Sequence, residues 1–444
     1  MREVYEAHLA RNGFSPEASS ILTQGTQIRK HKTPVNALLR KGYLDSSMLV
    51  NADLTHRVSP ARAAAFDTLE LVSKGAYASD SLRERTSHLK PRDAGLAGQI
   101  VFGCLRFQAQ LDHLVGVFSG KSVSELDKAV VLSLRMATFQ LRYLERIPPH
   151  AAIHEAVEII KVRRRPAAGF VNAVLRKLNR DPIHWPSREI ELSCPEWLIA
   201  RWAAHFGKDQ AERLAAEALR EPDAYIRVHP GAPVPEGATL EPTAVPGCFR
   251  LSSGIPAGVR LHDISSQAIL ALLDLQAGQS YLDLCAAPGN KTVEALETPL
   301  ALVIACDISP LRIRDIPPLC PRVVLDATQP LPFLRKFDRI FIDAPCTGTG
   351  TLARNPEIKW RVQEQDFERF TRRQREIVGQ AVHHLAPGGK LLYATCSLER
   401  EENEAVVHQI LEADTRLRCE NQLWRLPGRD PGDGFFAAVL CFRT

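Results

Sequence analysis

Apolar residues recur at helical spacing through the region from about residue 60 to residue 179. In VVLSLRMATFQLRYL, for example, they lie three or four positions apart at Val131, Leu134, Ala137, Leu141 and Leu144. Such spacing places them on one face of an α-helix. Similar patterns run through ARAAAFDTLELV, LAGQIVFGCLRF and HEAVEIIKV, and strand patterns are absent there. The region is therefore predicted to be an all-α bundle.

Beyond Asp263 the pattern changes to short apolar runs that each end in a polar loop. The five runs are SYLDLCAAP, ALVIACDIS, RVVLDA, DRIFIDAP and GKLLYATCS. Helical or loop segments separate most of them, which is typical of a doubly wound α/β domain. Ligands of such domains bind beyond the carboxyl ends of the strands.

The remaining stretches set the domain boundaries. Residues 1–55 are polar and weakly periodic, and they are predicted to be a poorly structured extension. The bundle is assigned to 56–182, and the proline-rich DPIHWPSREIELSCP reads as a linker. Residues 190–258 mix helical and short extended pieces and are predicted to form a small mixed module. The α/β domain is assigned to 259–444.

Composition narrows the class of protein. The 444 residues are 45% hydrophobic and 24% charged, which is ordinary for a soluble protein. No apolar run approaches the roughly 18 residues of a membrane helix, and MREVYEAHLARNGF lacks a signal core. The ten cysteines are scattered without a CxxC pair, which speaks against a zinc site or a disulfide framework. We expect a cytoplasmic protein with reduced thiols, no metal and no membrane.

Charge is concentrated in one segment. The net charge is only +5, but KVRRRPAAGFVNAVLRKLNR, from Lys161 to Arg180, holds seven basic residues and no acid. Such a cluster is either a solvated helix face or a surface on which phosphates dock. Charge alone does not choose between these two interpretations.

Four of the predicted strands end at an aspartate, at Asp283, Asp307, Asp326 and Asp343. One such residue is more often a helix cap, but four in succession favour a ligand. The loop CAAPGNKT follows the first strand, and an acid about twenty residues later suits the hydroxyls of a ribose. The P-loop pattern GxxxxGK[ST] is missing. S-adenosylmethionine fits the acidic rim, because its sulfonium and ammonium groups are positive.

Two cysteines follow neighbouring strands, Cys346 in FIDAPCTGTGTL and Cys396 in YATCSLEREENE. Both are therefore expected to face the crevice beside the cofactor. Methylation of cytosine at C5 requires a thiolate that adds to C6, because C5 is otherwise a poor nucleophile. A second thiol would assist the later release of the first. The alternative is two buried structural cysteines, and the residues alone do not decide which thiol would attack.

These motifs resemble those of RNA (cytosine-5)-methyltransferases of the NOL1/NOP2/Sun family. The resemblance rests on DLCAAPGNKT, FIDAPCTGTGTLARNPEIKWR, YATCSLEREENE and DGFFAAVL, and it extends from about residue 57 to the end. The helical region, with IPPHAAIHEAVEIIKVRRRPAAGFVNAVLRKLNR, is similar to the NusB-like domain. The implied fold is a NusB-like bundle, a small mixed module and a Rossmann-like class I methyltransferase domain.

The resemblance also implies roles for matching residues. Cys396 would be the nucleophile, Cys346 would assist product release, and Asp343 and Lys291 would lie near the target base. The residues implied to bind S-adenosylmethionine are Cys285, Ala286, Ala287, Pro288, Gly289, Asn290, Lys291, Asp307, Asp326 and Asp343. The bundle and the small module would bind RNA, with 16S rRNA as the expected partner of a monomeric enzyme. A tRNA substrate and a non-catalytic RNA-binding assembly protein remain as alternatives.

The cofactor loop departs from the family pattern at one position. The usual loop reads AAPGGKT, whereas Asn290 here replaces the second glycine. Asparagine tolerates left-handed backbone geometry better than most residues, so the loop is expected to keep its shape. The segment after Asp307, ISPLRIRDIPPLC, is short and proline-containing, so the usual helix there is expected to be truncated.

Overall fold

The computed structural model of the chain describes residues 57–178, 181–254 and 258–443. These residues fall into two compact units. The helical unit contains the described residues up to Glu221 together with Leu352–Arg361, and the sheet unit contains Pro222–Thr351 and the residues from Val362 onward. The extension predicted over 1–55 lies outside the described residues.

The helical unit is all-α in its described part, as the periodicity predicted. Its helices in chain order are α1 Pro60–Ser73, α2 Ala78–Thr86, α3 Pro91–Arg106, α4 Gln108–Ser119, α5 Lys128–Tyr143, α6 Pro149–Arg163, α7 Ala168–Lys177, α8 Arg188–Glu191, α9 Glu196–Phe206 and α10 Lys208–Glu217.

Local chemistry explains where several of these helices begin and end. Proline occupies the first turn of α1, α3 and α6, where a missing N–H costs nothing. The Asp127 carboxylate caps α5 by accepting from Ala129 N at 2.9 Å. Gly120 ends α4 in the left-handed conformation, with φ 69°. The apolar faces then pack into buried clusters around Phe66, Ile100 and Leu134.

Within the helical unit, Leu352–Arg361 supplies charges to the ends of two helices. Its short helix α13 spans Ile358–Arg361. The buried Glu357 accepts from Ala78 N, at the N-terminus of α2, at 3.0 Å. The buried Lys359 ammonium donates to the Arg106 carbonyl, at the C-terminus of α3, at 2.9 Å. Both contacts match the sign of the helix dipole, so this part of the PEIKWR motif serves the fold of the helical unit.

The sheet unit contains a seven-stranded sheet in the order β6-β5-β4-β7-β8-β10-β9. The first five of these strands run parallel, and β10 and β9 are antiparallel to their neighbours. The strands are β4 Ser280–Asp283, β5 Leu302–Asp307, β6 Arg322–Val324, β7 Phe337–Asp343, β8 Leu385–Thr395, β9 Leu417–Arg425 and β10 Phe435–Phe442. All five predicted strands are present, whereas β9 and β10 were not predicted.

Alternate strand residues face opposite sides of this sheet, as the two-residue period requires. Leu282, Ile304 and Ile340 pack in one buried cluster with residues of α14 Glu364–Val382 and α15 Glu404–Ala413. The residues one position earlier or later pack in a second cluster with α11 Ile264–Leu270 and α12 Asn290–Ala295. Helices therefore cover both faces, which confirms the Rossmann-like fold class.

A small antiparallel sheet, in the order β1-β3-β2, precedes these elements in the sheet unit. Its strands are β1 Ala224–Arg227, β2 Thr239–Pro242 and β3 Cys248–Ser253. Residues 190–258, predicted as one module, thus divide between the two units. The buried Trp202 on α9 belongs to the helical unit, whereas Arg227 on β1 forms a bidentate ion pair with Glu297 of the sheet unit, at 2.6 and 2.7 Å.

The described residues include no helix that is both long and apolar enough to cross a membrane.

Candidate active site

The parallel strands bring the predicted site residues to one edge of the sheet. Strand β4 lies between β5 and β7, so the chain passes to opposite sides of it and leaves a crevice beyond its carboxyl end. Asp283, Asp307 and Asp343 are the last residues of their strands, as predicted. The predicted end of the third strand was wrong, because β6 ends at Val324 and Asp326 lies in the following loop.

The cofactor loop turns on a single left-handed residue. Gly289 has φ +100°, and a Cβ there would lie 2.9 Å from Ile316 Cγ2, so both conformation and space require glycine. Asn290 is the first residue of α12 and has no positive φ. Its side-chain amide donates to the Leu261 carbonyl at 3.0 Å. The left-handed role considered for Asn290 is therefore wrong, and the loop does not need a second glycine for that reason.

Arginines hold the backbone of this loop from the outside. Arg312 donates to the Ala287 carbonyl at 2.9 Å, and Arg260 donates to the Pro288 carbonyl at 3.0 Å. Ala286 N donates to the Cys306 carbonyl at 2.8 Å. The only regular helix in the segment after Asp307 is the 3₁₀ turn Arg312–Asp315 among the described residues, in line with the expected truncation. The loop is short but well anchored.

Two of the predicted acids act as local caps. Asp307 is buried, and its two oxygens accept from Ala287 N at 3.1 Å and from Ser309 N at 2.9 Å. Asp326 accepts from the backbone N and the hydroxyl of Thr328 at 3.0 and 2.8 Å. A carboxylate has about four lone-pair sites, so each residue retains capacity to accept from a ribose hydroxyl or another ligand donor.

Asp283, one of the four strand-end aspartates that favour a ligand but not one to which the resemblance gave a role, has a buried oxygen aimed at no described partner. Its Oδ2 accepts from the Thr292 hydroxyl at 2.6 Å, whereas Oδ1 lacks a hydrogen bond with any described residue. Burial raises the pKa of Asp283 to about 7, although the Thr292 hydroxyl and the Lys291 charge oppose the shift. An orphaned carboxylate oxygen in this position suits a cationic group, so the rim fits the ammonium of S-adenosylmethionine.

Lys291 and Asp343 form an ion pair across the crevice, with Nζ and Oδ2 2.6 Å apart. The Lys291 side chain is only 12% exposed, and its ammonium lies 5.5 Å from the centre of the Phe435 ring. Burial lowers the pKa of Lys291, but Asp343 outweighs that effect through its charge and its hydrogen bond, so the net shift is upward. Lys291 therefore remains charged beside the thiols.

The two predicted thiols meet. The Sγ atoms of Cys346 and Cys396 are 3.4 Å apart, and both cysteines are free and half-buried. The hydrogen bond with Cys396, burial, and the charges of Cys396, Glu402 and Asp343 raise the pKa of Cys346 well above the ordinary thiol value. Cys396 lies close enough to the Lys291 ammonium to interact with its charge.

Glu402, which sequence reasoning missed, holds the two thiol loops together. It is completely buried. Its Oε1 accepts from Thr347 N at 2.9 Å and from Gln374 Nε2 at 3.0 Å. Its Oε2 accepts from the Ser397 hydroxyl at 2.5 Å and also from the Thr347 hydroxyl. Thr347 follows Cys346 and Ser397 follows Cys396, so one carboxylate fixes both residues that adjoin the thiols.

A close backbone contact explains the final DGFF motif. Gly350 N donates to the Cys396 carbonyl at 2.9 Å, and Gly434 N donates to the Gly350 carbonyl at 2.8 Å. A Cβ on Gly350 would lie 2.4 Å from the Gly434 carbonyl oxygen. Both glycines are thus required where the Cys346 loop, the Cys396 loop and β10 approach each other.

The structure divides the basic cluster of the helical unit. Arg163 is only 12% exposed and pairs with Asp67 at 2.9 Å and Glu70 at 3.5 Å, so it stabilises the bundle. Arg165 and Arg176 are exposed, and neither forms an ion pair with another described residue. The basic cluster in this segment therefore contains both a structural cation and cations that face solvent.

No group of three or more His, Cys, Asp or Glu side chains within 57–178, 181–254 and 258–443 is arranged to hold a metal ion.

Comparison with known proteins gives matches in both halves of the chain. The family described as 16S rRNA methyltransferase RsmB/F matches residues 270–441, and the NusB family matches residues 59–180. A ribosomal RNA small subunit methyltransferase B from Escherichia fergusonii is 31% identical over 415 residues, which cover 84% of this chain and 96% of that protein. The protein of the same name from Shigella flexneri is 32% identical over 416 residues, with 84% and 96% covered.

One solved structure also matches most of the chain. The crystal structure of PH0851 has a TM-score of 0.73 at 22% sequence identity. The match covers 86% of this chain and 98% of that chain. At this level of identity the likeness bears on the fold alone, and it agrees with the elements described above.

Proposed function

This chain belongs to the RsmB/F family of 16S rRNA methyltransferases, and we propose that it methylates C5 of a cytosine in small-subunit rRNA through a covalent bond between Cys396 and C6. The family resemblance of the sequence motifs is thereby confirmed, and the chain is an S-adenosylmethionine-dependent rRNA methyltransferase. The observation that carries the covalent mechanism is the 3.4 Å distance between the Sγ atoms of Cys346 and Cys396 at the strand edge.

S-adenosylmethionine supplies an electrophilic methyl group on a positive sulfur. Gly289 gives its loop the close turn that lets the backbone approach the cofactor. Asp307 retains lone pairs that would accept from the ribose hydroxyls, and the Asp283 oxygen without a described partner would accept from the ammonium. The remaining residues proposed to line this side are Cys285, Ala286, Ala287, Pro288, Asn290, Lys291, Asp326 and Asp343.

Lys291 and Asp343 would orient the base. The Asp343 carboxylate is an acceptor suited to the exocyclic N4 amine of cytosine, and the Lys291 ammonium is a donor suited to O2 or N3. Because the two groups lie 2.6 Å apart, they present a donor and an acceptor side by side. Lys291 also lies close to Cys396, so the cation that would orient the base is a neighbour of the proposed nucleophile.

The reaction begins when the Cys396 thiolate attacks C6. The Sγ–C6 bond forms, and the electron pair of the C5=C6 double bond moves toward C5, which becomes enamine-like. C5 then takes the methyl group, while the electron pair of the broken carbon–sulfur bond stays with the former sulfonium sulfur. When the C5 proton has left to water, its electron pair re-forms the C5=C6 bond and the Sγ–C6 bond breaks.

Cys346 would assist this last step as a hydrogen-bond donor. Its thiol lies within reach of the departing Cys396 sulfur, and its raised pKa means that it still holds its proton when Cys396 leaves. The Cys346 S–H donates to the departing sulfur, which leaves as a thiolate, and Cys346 keeps its proton. An enzyme without this donor should methylate once and then remain attached to its product.

The structure removes the argument for the non-catalytic alternative. That alternative would require a cofactor loop damaged by the replacement of a glycine with Asn290, and Asn290 does not occupy the left-handed position of the loop. The curated relatives are named for the small ribosomal subunit, which favours 16S rRNA over tRNA as the substrate. We propose that the NusB-like helices bind this RNA in part through the exposed Arg165 and Arg176.

The test is to trap the adduct. Purified protein is incubated with small-subunit rRNA and S-adenosylmethionine and then run on a denaturing gel. Cys346→Ala should give a protein–RNA species that survives denaturation and carries one methyl group. Cys396→Ala and the double variant should give none, and tRNA should replace rRNA poorly. A stable adduct with Cys396→Ala instead would assign the attack to Cys346. Full turnover by both single variants would return the thiols to a structural role.

A further inference from the structure

We infer that Glu402 is a positioning residue of the two-thiol site: it ties the two thiol loops together and, as a buried carboxylate, keeps Cys346 protonated so that Cys396 alone attacks. This inference rests on the proposed function for its catalytic meaning. The effects of the charge and the contacts of Glu402 can be measured without RNA or cofactor.

Burial raises the pKa of Glu402, whereas the hydrogen bonds that it accepts from Ser397, Thr347 and Gln374 oppose this shift and fit its ionised form. Four donors converge on its two oxygens: one backbone N–H, one amide N–H of Gln374 and the two hydroxyls of Thr347 and Ser397. One acceptor site of the Ser397 hydroxyl oxygen is already occupied, because Glu399 N donates to it at 3.1 Å. If Glu402 were protonated, it would have to donate to one of the two hydroxyls, and that hydroxyl would no longer donate to Glu402. Charge-assisted bonds of this kind are the stronger ones.

The four donors come from three separate parts of the chain. Thr347 belongs to the loop after β7, Ser397 to the loop after β8, and Gln374 to the buried face of α14. The same Gln374 amide also donates to the Pro345 carbonyl at 3.0 Å, one residue before Cys346. The Tyr393 hydroxyl donates to the Glu402 carbonyl at 2.5 Å. Glu402 thus adds side-chain hydrogen bonds between two loops that also share the bond from Gly350 N to the Cys396 carbonyl.

The charge of Glu402 acts on the two thiols unequally. The titratable groups that face Cys346 are Cys396, Glu402, Asp343 and Tyr393, and the fixed cation of the site, Lys291, is bonded to Asp343. Cys346 therefore lies among acids, which disfavour a second negative charge. Cys396 has the Lys291 ammonium as a neighbour. Although the thiols touch, the surroundings of Cys346 favour its thiol form.

The experiment follows the alkylation of each thiol against pH in the full-length protein. Trypsin gives separate peptides, because Cys346 lies between Arg339 and Arg354 and Cys396 lies between Lys390 and Arg400. Iodoacetamide reacts with the thiolate, so the midpoint of the labelling curve for the Cys346 peptide reports its ionisation. In Glu402→Gln this midpoint should fall by about one pH unit, which raises the labelling rate of Cys346 about tenfold at a fixed pH below it.

Matched variants distinguish the effect of the Glu402 charge from the effect of its hydrogen bonds to the two thiol loops. Glu368→Gln removes an exposed acid of α14 and should leave the Cys346 midpoint unchanged. Glu402→Asp keeps the charge but shortens the side chain, so it should preserve the midpoint and lower kcat for methyl transfer. Thr347→Val and Ser397→Ala each remove one donor and should behave like Glu402→Asp.

An unchanged Cys346 midpoint in folded Glu402→Gln would overturn the inference. If Glu402→Gln does not fold, Glu402→Asp decides: a preserved midpoint with a lower kcat supports the two roles, and a midpoint that falls by the same one unit shows that loop geometry, not charge, controls the thiol. These results are independent of the adduct test, because labelling uses neither RNA nor S-adenosylmethionine. If the adduct test fails but the Cys346 midpoint shifts, Glu402 still controls the ionisation of Cys346, but its role in the proposed reaction is contradicted.

Discussion

The two sides of the candidate active site are built in different ways. The thiol side comprises residues 343–351 and 395–403, and it is braced by buried side chains such as Glu402 and Asn403, the latter accepting from the Thr395 hydroxyl at 2.5 Å. The cofactor side comprises residues 283–292 with Asp307 and Asp326. It is held by backbone geometry and by carboxylates that cap their own loops.

This difference has a consequence for what each side can do. On the thiol side, buried polar groups are paired with each other, which fixes the two sulfurs but leaves little to offer a ligand. On the cofactor side, Asp283 has an unpaired oxygen and Asp307 has spare lone pairs. We therefore expect changes on the thiol side to affect the rate of the reaction and changes on the cofactor side to affect affinity for S-adenosylmethionine.

The largest effect is expected from Asp343→Asn, at the boundary of the two sides. The change removes the counterion of the buried Lys291, which then loses its orientation toward base and thiol. We expect kcat to fall about 100- to 1,000-fold, the usual loss for a preorganised charge. Single-turnover methyl transfer measures this. Asp338→Asn is the control, because Asp338 lies at the opposite end of β7 and binds Ser280 N at 2.8 Å. An equal loss in that variant would mean that the effect is structural.

Gly289→Ala should weaken binding of S-adenosylmethionine without affecting the thiol side. The new methyl group meets Ile316 at 2.9 Å in a backbone conformation that alanine disfavours. At a cost of about 1–3 kcal/mol, affinity for S-adenosylmethionine should fall by about 5- to 150-fold, as measured by calorimetric titration. Asn290→Gly restores the usual family glycine and should change the affinity less than about twofold. If Asn290→Gly instead tightened binding tenfold, the residue after Gly289 would limit the loop.

Asp283 should make cofactor binding depend on pH. Its pKa is raised to about 7, largely by burial, so it loses its charge as the pH falls below that value. The dissociation constant for S-adenosylmethionine should then rise up to about tenfold by pH 6. The sign for stability is opposite: a raised acid pKa means that the unfolding free energy of the free protein increases as the pH falls from about 7 toward about 4.

The variant Asp283→Asn tests this assignment. It should bind S-adenosylmethionine more weakly than the wild type at about pH 8 and should show a flatter pH dependence. Its unfolding free energy, measured by urea denaturation, should lack the rise at low pH that Asp283 contributes. An equally steep pH dependence of binding in Asp283→Asn would place the titrating group elsewhere.

The smallest effect is expected outside both sides, in the helical unit. The double change Arg165→Ala and Arg176→Ala should lower RNA affinity several-fold and reduce the slope of log K against log salt by about 1.5. Neither cofactor affinity nor single-turnover rate at saturating RNA should change. Arg372→Ala with Arg375→Ala, on the exposed face of α14, is the matched control. An unaltered slope would identify the two arginines as a solvated face.

Arg163→Ala sharpens the same comparison within the basic cluster. Because Arg163 neutralises the half-buried Asp67, its loss should lower the unfolding free energy by about 1–3 kcal/mol. Thermal denaturation measures this effect. A salt slope that falls as much as in the Arg165 and Arg176 variant, without loss of stability, would return Arg163 to the docking surface.

Local pattern was sufficient for much of the architecture. The five parallel strands and the helical bundle follow from periodicity, because the side that a residue faces depends only on its position in a helix or strand. The convergence of Asp283, Asp307, Asp343, Cys346 and Cys396 follows as well, since parallel strands bring their carboxyl ends to one edge. The strand β6 is short and at the edge of the sheet, so its end was predicted two residues late.

Burial of charged residues was not predictable from the sequence. Glu402 stands in the run EREENE, in which Glu399 is also buried and Glu401 and Glu404 are partly exposed. Arg163 stands in the run RRR, in which the other two arginines are exposed. Which member turns inward depends on donors or acids from distant segments, such as Thr347 and Gln374 for Glu402. A single sequence carries no signal for such pairs, although the motif that contains Glu402 was part of the family resemblance.

The sequence by itself determined the fold class, the family, the cofactor and the pair of thiols, because these depend on periodicity and on residue types at fixed spacing. Only the tertiary structure decided that the sulfurs lie 3.4 Å apart, that Gly289 and not Asn290 carries the left-handed turn, and that residues 190–258 divide between two units. Each of these depends on contacts between residues far apart in the chain, whose energies no local pattern encodes.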